Sequence, residues 1–139
     1  MPCLPISYEN LTAVSKTYDP AKPIYMLNLW KYNEKASYAP EHSALAGDPC
    51  SGREAASRYE TALGPLLPPN AERYFMSTVV TEVVAPKGEI WDDAMLIKYE
   101  SLEGFRKMVE SQEYLEKAQP HRLAALGDFR LIMLDKLEI

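Results

Sequence analysis

The sequence predicts one α+β domain whose elements run strand, helix, strand, strand, helix, strand. Three observations carry that reading. An apolar run from Ile24 to Tyr32 precedes a helix that opens on a capping signature at Ser51. Arg73 to Ala85, dense in Val and Thr, and Trp91 to Tyr99 flank Pro86-Lys87-Gly88 and read as a hairpin. A second helical stretch after Ser101 ends at Gly127, before a closing apolar segment. A chain of 139 residues fits one domain, burying roughly 68–70% of its unfolded surface. Residues 1–22 read as an N-terminal extension and 23–139 as the core.

The elements follow in order. Tyr8, Leu11 and Val14 recur at a three-residue step, which suggests a short helix over Tyr8 to Thr17. Asp19-Pro20 and Lys22-Pro23 end it, because proline lacks an amide donor and pushes its predecessor out of helical angles. Ile24 to Tyr32 is apolar on both faces, as a central strand covered on both sides would be. Alternation puts Tyr25, Leu27 and Leu29 on one face and Met26, Asn28, Trp30 and Tyr32 on the other. Asn33 to Cys50 is polar and irregular, a loop long enough to be expected over a site. Ser51-Gly-Arg-Glu54 is a capping box, and Ala55, Ala56, Tyr59, Ala62 and Leu63 form the buried stripe of the helix it starts. Gly64-Pro65 and Pro68-Pro69-Asn70 lead into the hairpin. Ser101 then caps a helix whose buried side carries Leu102, Phe105, Met108 and Val109. Ser111-Gln112 breaks it, a second helical stretch runs from Glu113 to Leu126 with Pro120 near its middle, and Asp128 to Ile139 is the last strand.

With right-handed crossovers, this order gives four antiparallel strands with two helices on one face, the ferredoxin-like arrangement. The other face is left bare. A sheet this rich in Val, Leu, Ile and Met would then expose an apolar patch larger than monomers tolerate, so a homodimer paired face to face through it is expected. The apolar fraction of 47% and charged fraction of 25% are those of ordinary globular proteins. A net charge of -5 and a pI near 5.1 argue against nucleic acid as a partner. No window approaches the roughly 20 apolar residues of a membrane span. Met1 to Asn10 has neither the basic start nor the apolar stretch of a secretory signal, so a cytoplasmic location is expected. Cys3 and Cys50 lack CxxC or Cys/His spacing, so reduced thiols and no metal or other cofactor are expected.

Three stretches carry a family resemblance: Pro23-Ile-Tyr-Met-Leu-Asn-Leu29, Tyr99-Glu-Ser-Leu-Glu-Gly-Phe105, and Ser111-Gln-Glu-Tyr114 followed by His121-Arg-Leu-Ala-Ala-Leu-Gly-Asp-Phe-Arg130. In these the chain resembles the dimeric α+β barrel superfamily, and within it an uncharacterised small-protein group related to antibiotic-biosynthesis monooxygenases and olivetolic acid cyclase-like proteins. The resemblance covers about Pro23 to the end. The N-terminal segment and the Asn33 to Cys50 loop depart from the shorter members. It implies two ferredoxin-like sheets paired into a barrel, and a small apolar cavity between sheet and helices with a few polar groups that move protons. Members include cofactor-independent monooxygenases, cyclases, haem-degrading enzymes, dehalogenases and lactone isomerases.

Eight residues are candidates for the site. His121 titrates near neutrality and reads either as a cation at a helix end or as a general acid or base, assisted by Arg122. The two side chains point about 100° apart, so one site would not use both equally. Asn28 either finds partners within an apolar strand or orients a substrate carbonyl and stabilises an enolate; the resemblance implies the second, since monooxygenases of the superfamily often place an Asn on that strand. Glu82, a carboxylate within the second strand's apolar run, becomes a base if enclosed and an ordinary edge charge if not. Trp30 packs or stacks on a planar ligand, His42 is a solvated loop residue or part of a lid, and Tyr59 and Tyr99 are core or cavity wall. The function expected is a cofactor-free cyclase or isomerase of secondary metabolism acting on a small apolar or aromatic, polyketide-like substrate. His121, Asn28 and Glu82 are its expected catalytic residues. A cofactor-free monooxygenase and a non-catalytic ligand-binding dimer are the alternatives.

Overall fold

The computed structural model describes residues 4–139, so Cys3 lies outside the described residues. Helix α1 (Tyr8–Ser15) starts at Ser7, whose side chain accepts the Asn10 amide. Strand β1 (Ile24–Tyr32) has the bounds expected from its apolar run. The segment after it forms a 3-10 turn (Pro40–His42) and a short helix α2 (Ser43–Ala46). Helix α3 (Gly52–Leu63) opens on the capping box, with both reciprocal bonds between Ser51 and Glu54 present. Strands β2 (Glu72–Thr78) and β3 (Asp93–Tyr99) follow, then α4 (Leu102–Val109), capped by Ser101. A π-helical turn (Tyr114–Ala118) runs into α5 (Gln119–Ala125), which passes directly into β4 (Leu126–Leu134).

The strands lie in the order β2-β3-β1-β4, all neighbours antiparallel, which is the ferredoxin-like α+β topology. Register sorts the side chains into transverse rows. Met76, Met95, Asn28 and Leu131 form one row facing the helices; Phe75, Leu96, Leu27 and Ile132 form a row on the opposite face. The first kind packs under Leu102, Phe105, Met108 and Val109, all buried as the helical spacing requires. The second has no layer over it, and Phe75 is 59% and Ile132 45% exposed.

The N-terminal segment joins the core. Ile6, Leu11, Val14 and Tyr18 pack against it, the Tyr18 hydroxyl donates to the Pro23 carbonyl at 2.7 Å, and Lys22 pairs with Asp135 just beyond β4 at 2.7 Å. The segment from 33 to 50 lies against α3 and α5. Arg58 donates to the Ala46 and Asp48 carbonyls at 2.6 and 3.3 Å, and the Ser37 amide donates to the Ala124 carbonyl at 3.0 Å.

Three boundaries differ from expectation, each for a physical reason. β2 stops at Thr78, not Ala85, because its partner β3 begins opposite at Asp93; the Val79 amide still reaches the Asp92 carbonyl at 2.8 Å, and beyond it the chain has no neighbouring strand to pair with. Pro86-Lys87-Gly88 still makes its turn, with the Glu89 amide donating to the Pro86 carbonyl at 3.1 Å, but within a long arm and not between paired strands. The last strand begins at Leu126 and ends at Leu134, so Gly127 lies inside it. The stretch from Glu113 to Leu126 is two pieces, π then α.

Asn33 ties these parts together. Its amide donates to the Ala125 carbonyl at 2.8 Å, its side chain donates to the Ala124 carbonyl at 3.0 Å, and its own carbonyl accepts the Gly52 amide at 3.1 Å. A Cβ on Gly52 would lie 2.1 Å from the Asn33 carbonyl oxygen and 2.7 Å from that of Ala125. Only glycine lets the start of α3 and the end of α5 converge on the end of β1. Gly52→Ala should cost about 1–3 kcal/mol or more and lower the Tm by several degrees. Gly64→Ala, whose Cβ would meet nothing within 4 Å, should leave it unchanged or raised. Equal Tm values for the two variants in a calorimetric scan would refute this account of the junction.

Candidate functional site

Between the sheet and its helices lies a cavity of about 100 Å³. Met26, Met95, Ile97 and Leu131 of the sheet and Phe105, Met108 and Val109 of α4 make most of its wall apolar. Cover is weakest on the β2 side. There Glu60, Leu63, Gly64 and Leu67 at the end of α3 face Glu72, Arg73 and Met76, and the exposed Glu60–Arg73 ion pair at 3.7 Å marks the rim.

One end of the cavity is polar, and Arg122 dominates it. This side chain is only 8% exposed. None of the ion pairs among the described residues involves it. Aromatic rings surround it instead: its guanidinium carbon lies 5.3 Å from the Trp30 ring centre, 5.7 Å from that of Tyr59 and 5.0 Å from that of Phe129. Each such contact is worth roughly 0.5–2 kcal/mol when desolvated. Its Nη2 donates to Asn28 Oδ1 at 3.5 Å, a long bond, and the guanidinium also hydrogen-bonds the Tyr59 phenol. Burial works against this charge, yet the phenol oxygens of Tyr59, Tyr114 and Tyr99 hold its pKa above the ordinary guanidinium value.

The other polar groups are arranged around that cation. Asn28, buried on β1, donates through Nδ2 to the Met26 carbonyl at 3.3 Å and turns its oxygen to Arg122. The Tyr59 and Tyr114 hydroxyls lie 3.0 Å apart. Burial pushes the Tyr99 and Tyr114 phenols up, far more than Arg122 pulls them down, so both stay protonated at neutral pH. Trp30 lines the same wall, and its indole N–H is buried without a hydrogen-bond partner among the described residues.

The backbone explains why Arg122 and not His121 reaches this place. On an unbroken α-helix, Tyr114 and His121 are seven residues apart and share a face. Pro120 has no amide to offer the Glu116 carbonyl and its ring crowds that carbonyl, so the preceding turn widens and the Gln119 amide bonds to the Tyr114 carbonyl, five residues back. The extra residue rotates the downstream turn by about 100° and brings Arg122 into line with Tyr114.

Five of the eight candidate residues therefore line one cavity: Asn28, Trp30, Tyr59, Tyr99 and Arg122. The other three lie elsewhere. His121 is buried on a different face of α5, with Nδ1 2.6 Å from the Tyr38 hydroxyl, which also accepts from Arg58 at 3.4 Å. Burial, then Arg58, lowers the His121 pKa below its ordinary value, which favours the neutral ring beside Tyr38. His42 sits in the 3-10 turn over the helices, because the loop that carries it is drawn there by Arg58 and not across the cavity. Glu82 belongs to the arm beyond β2, outside the cavity lining, where its carboxylate accepts the Trp91 amide at 3.4 Å. Tyr114 and the rim pair Glu60 and Arg73 escaped sequence reasoning. Tyr114 was identifiable only by allowing for the widened turn before Pro120.

Among the described residues no group of three His, Cys, Asp or Glu side chains is placed to hold a metal ion, and no helix is long and apolar enough to cross a membrane. No protein-family model matches the chain, and no curated protein matches it. Solved structures do. The chain is similar to the methylated RPA0582 protein, with 29% identity and a TM-score of 0.81 over 99% of this chain and 98% of that one. It is likewise similar to RPA0582 from Rhodopseudomonas palustris, a protein of unknown function, with 27% identity and a TM-score of 0.82 over 100% of both chains. A dimeric protein of unknown function and ferredoxin-like fold from Bacteroides fragilis aligns at 11% identity, with a TM-score of 0.48 over 82% of this chain and 96% of that one. The RPA0582 match spans α1 and the 33–50 segment as well as the core.

The state of His121 has a consequence for stability. Its folded pKa lies below the ordinary 6.5, so the unfolded chain binds the proton more readily. The contribution of His121 to stability is present in full above pH 6.5 and is lost as pH falls through the folded value. Tm measured between about pH 7.5 and pH 5 should decline in the wild type, and the decline should flatten in His121→Asn. Identical profiles would show that His121 does not report the loop's attachment.

Proposed function

We propose that the cavity is the site of a cofactor-independent enzyme that binds a compact apolar or aromatic molecule and moves a proton on it, as in isomerisation or cyclisation. The observation that carries this reading is a cluster of donors at one end of an otherwise apolar cavity: the Arg122 guanidinium, the Trp30 indole N–H and the Tyr59–Tyr114 phenol pair. Donors fixed in a water-poor site stabilise a carbonyl oxygen as it gains charge in the passage to an enolate. The Tyr99 and Tyr114 phenols, held neutral by burial, supply hydrogen bonds and do not remove protons. The proton acceptor in this reading is Glu60, a carboxylate at the rim. It takes a proton from a carbon next to the carbonyl, the electron pair moves onto the oxygen held by Arg122, and return of the proton to a different carbon completes an isomerisation. A volume of about 100 Å³ suits one ring or a short chain rather than a multi-ring polyketide.

The enolate step is directly measurable. Compact ketones and keto acids incubated with the protein in D2O should exchange the hydrogen beside the carbonyl faster than without it. Glu60→Gln should slow the exchange by roughly 100-fold or more. Exchange no faster than in buffer, for every compound that binds, would leave a binding protein and remove the enzyme.

The open sheet face supports a homodimer. The row Phe75, Leu96, Leu27 and Ile132 crosses all four strands with nothing over it. The arm beyond β2 adds Val80, Val83, Val84 and Ile90, with Val80 97% exposed, a strand-like sequence that finds no strand in its own protomer. A second copy laid face to face would cover the row and give the arm a neighbour. Light scattering should return twice the 15.7 kDa of one chain, and Leu96→Glu should return one. A wild-type monomer at micromolar concentration would contradict the pairing.

A further inference from the structure

The reading of the cavity as a small-molecule site leaves its ligand's charge open, and two independent features of the wall address it. The first is Arg122: a guanidinium, 8% exposed, with no ion pair among the described residues, a long hydrogen bond to Asn28 and a hydrogen bond to the Tyr59 phenol. Removing a cation from water costs several kcal/mol, and ring contacts offset only part of that, so a missing anion is the natural complement. The second is Trp30, whose buried indole N–H has no acceptor among the described residues, although almost all buried donors find one. The guanidinium lies 5.3 Å from the centre of that same indole ring. An indole N–H without an acceptor and, beside it, a guanidinium without an anion describe a place for an acceptor that carries negative charge.

We infer that the ligand is a small monocarboxylate whose oxygens take up the Arg122 guanidinium and the Trp30 N–H, with its apolar body against the methionines and α4. A guanidinium meets a carboxylate edge to edge through two parallel N–H bonds, a geometry that a point cation lacks. The charge is single. Among the residues lining the cavity Arg122 is the one interior cation, and Arg73, at the rim, is already matched by Glu60. A phosphate dianion would need more positive charge than this wall holds. The volume of about 100 Å³, below the roughly 150 Å³ of an engineered cavity that holds benzene, limits the body to a short chain or to one ring that extends into the rim. On this basis the group polarised by Arg122 is the ligand's own carboxylate, the proton chemistry acts on the carbon beside it, and the Glu60 and Glu72 carboxylates at the mouth leave anion selection to Arg122 within.

The test is isothermal titration of the full-length protein with benzoate, benzamide and benzylamine, which share a ring and differ in charge. Benzoate should bind, benzamide should bind at least about 30-fold more weakly, and benzylamine should not bind. Trp30→Phe, which removes the N–H and keeps a ring, should weaken benzoate several-fold without lowering the Tm. Arg122→Met should abolish the preference for benzoate over benzamide. Benzoate and benzamide binding equally to the wild type would overturn the carboxylate assignment and leave the small-molecule site standing. No binding by any of the three would overturn both. If Arg122→Met does not fold, the wild-type series and Trp30→Phe still decide the matter.

Discussion

A positive charge buried without a negative partner is the constraint on which this structure turns. Desolvating a guanidinium is expensive, and here the compensation comes from aromatic faces and amide oxygen, not from a carboxylate. That choice dictates the surroundings: Trp30, Tyr59 and Phe129 must come from three different elements, and Asn28 must interrupt the apolar row of β1 at the one place Arg122 can reach. A sheet residue that looks out of place among Met76, Met95 and Leu131 is thereby explained by a residue 94 positions away. A core built for stability alone would place a leucine or methionine there, since apolar replacements of buried charges are commonly neutral or stabilising.

Two backbone irregularities deliver that side chain. One is the π-helical turn before Pro120, which rotates α5 so that Arg122 and Tyr114 face the same space. The other is the junction at Asn33, where the end of β1, the start of α3 and the end of α5 meet over Gly52. The junction sets the relation between Tyr59 on α3 and Arg122 on α5. The 33–50 segment then locks it from outside through Arg58, Tyr38 and His121. The long loop contributes to the site by holding the helices that form it.

Much of the fold was legible in the sequence because its signals are local. The apolar run of β1, the Ser51–Glu54 capping box and the Leu102–Val109 stripe each depend on neighbours within a few residues, and each element forms where those signals lie. The misreadings share a different origin. The strand pattern from Thr78 to Ala85 is sound by composition, yet a strand needs a partner, and β3 ends the pairing at Asp93. Glu82 followed that segment out of the cavity. Choosing between His121 and Arg122 needed the helix phase to within one residue, and the widened turn altered that phase. Asn28 and Trp30 on β1 share a face and both line the cavity, because alternation along a strand has no phase error of this kind.

The feature on which the rest depends is a guanidinium at the end of the cavity with no carboxylate paired to it among the described residues. A crystal structure of the protein without added ligand tests this most directly, because it would show every side chain near Arg122, including any from a second copy. The expected result is Arg122 stacked among Trp30, Tyr59 and Phe129 with no carboxylate of either chain within about 4 Å, the usual ion-pair limit, and Trp30 Nε1 still without a protein acceptor. A protein carboxylate closed onto the guanidinium, or Arg122 turned out to solvent, would contradict it.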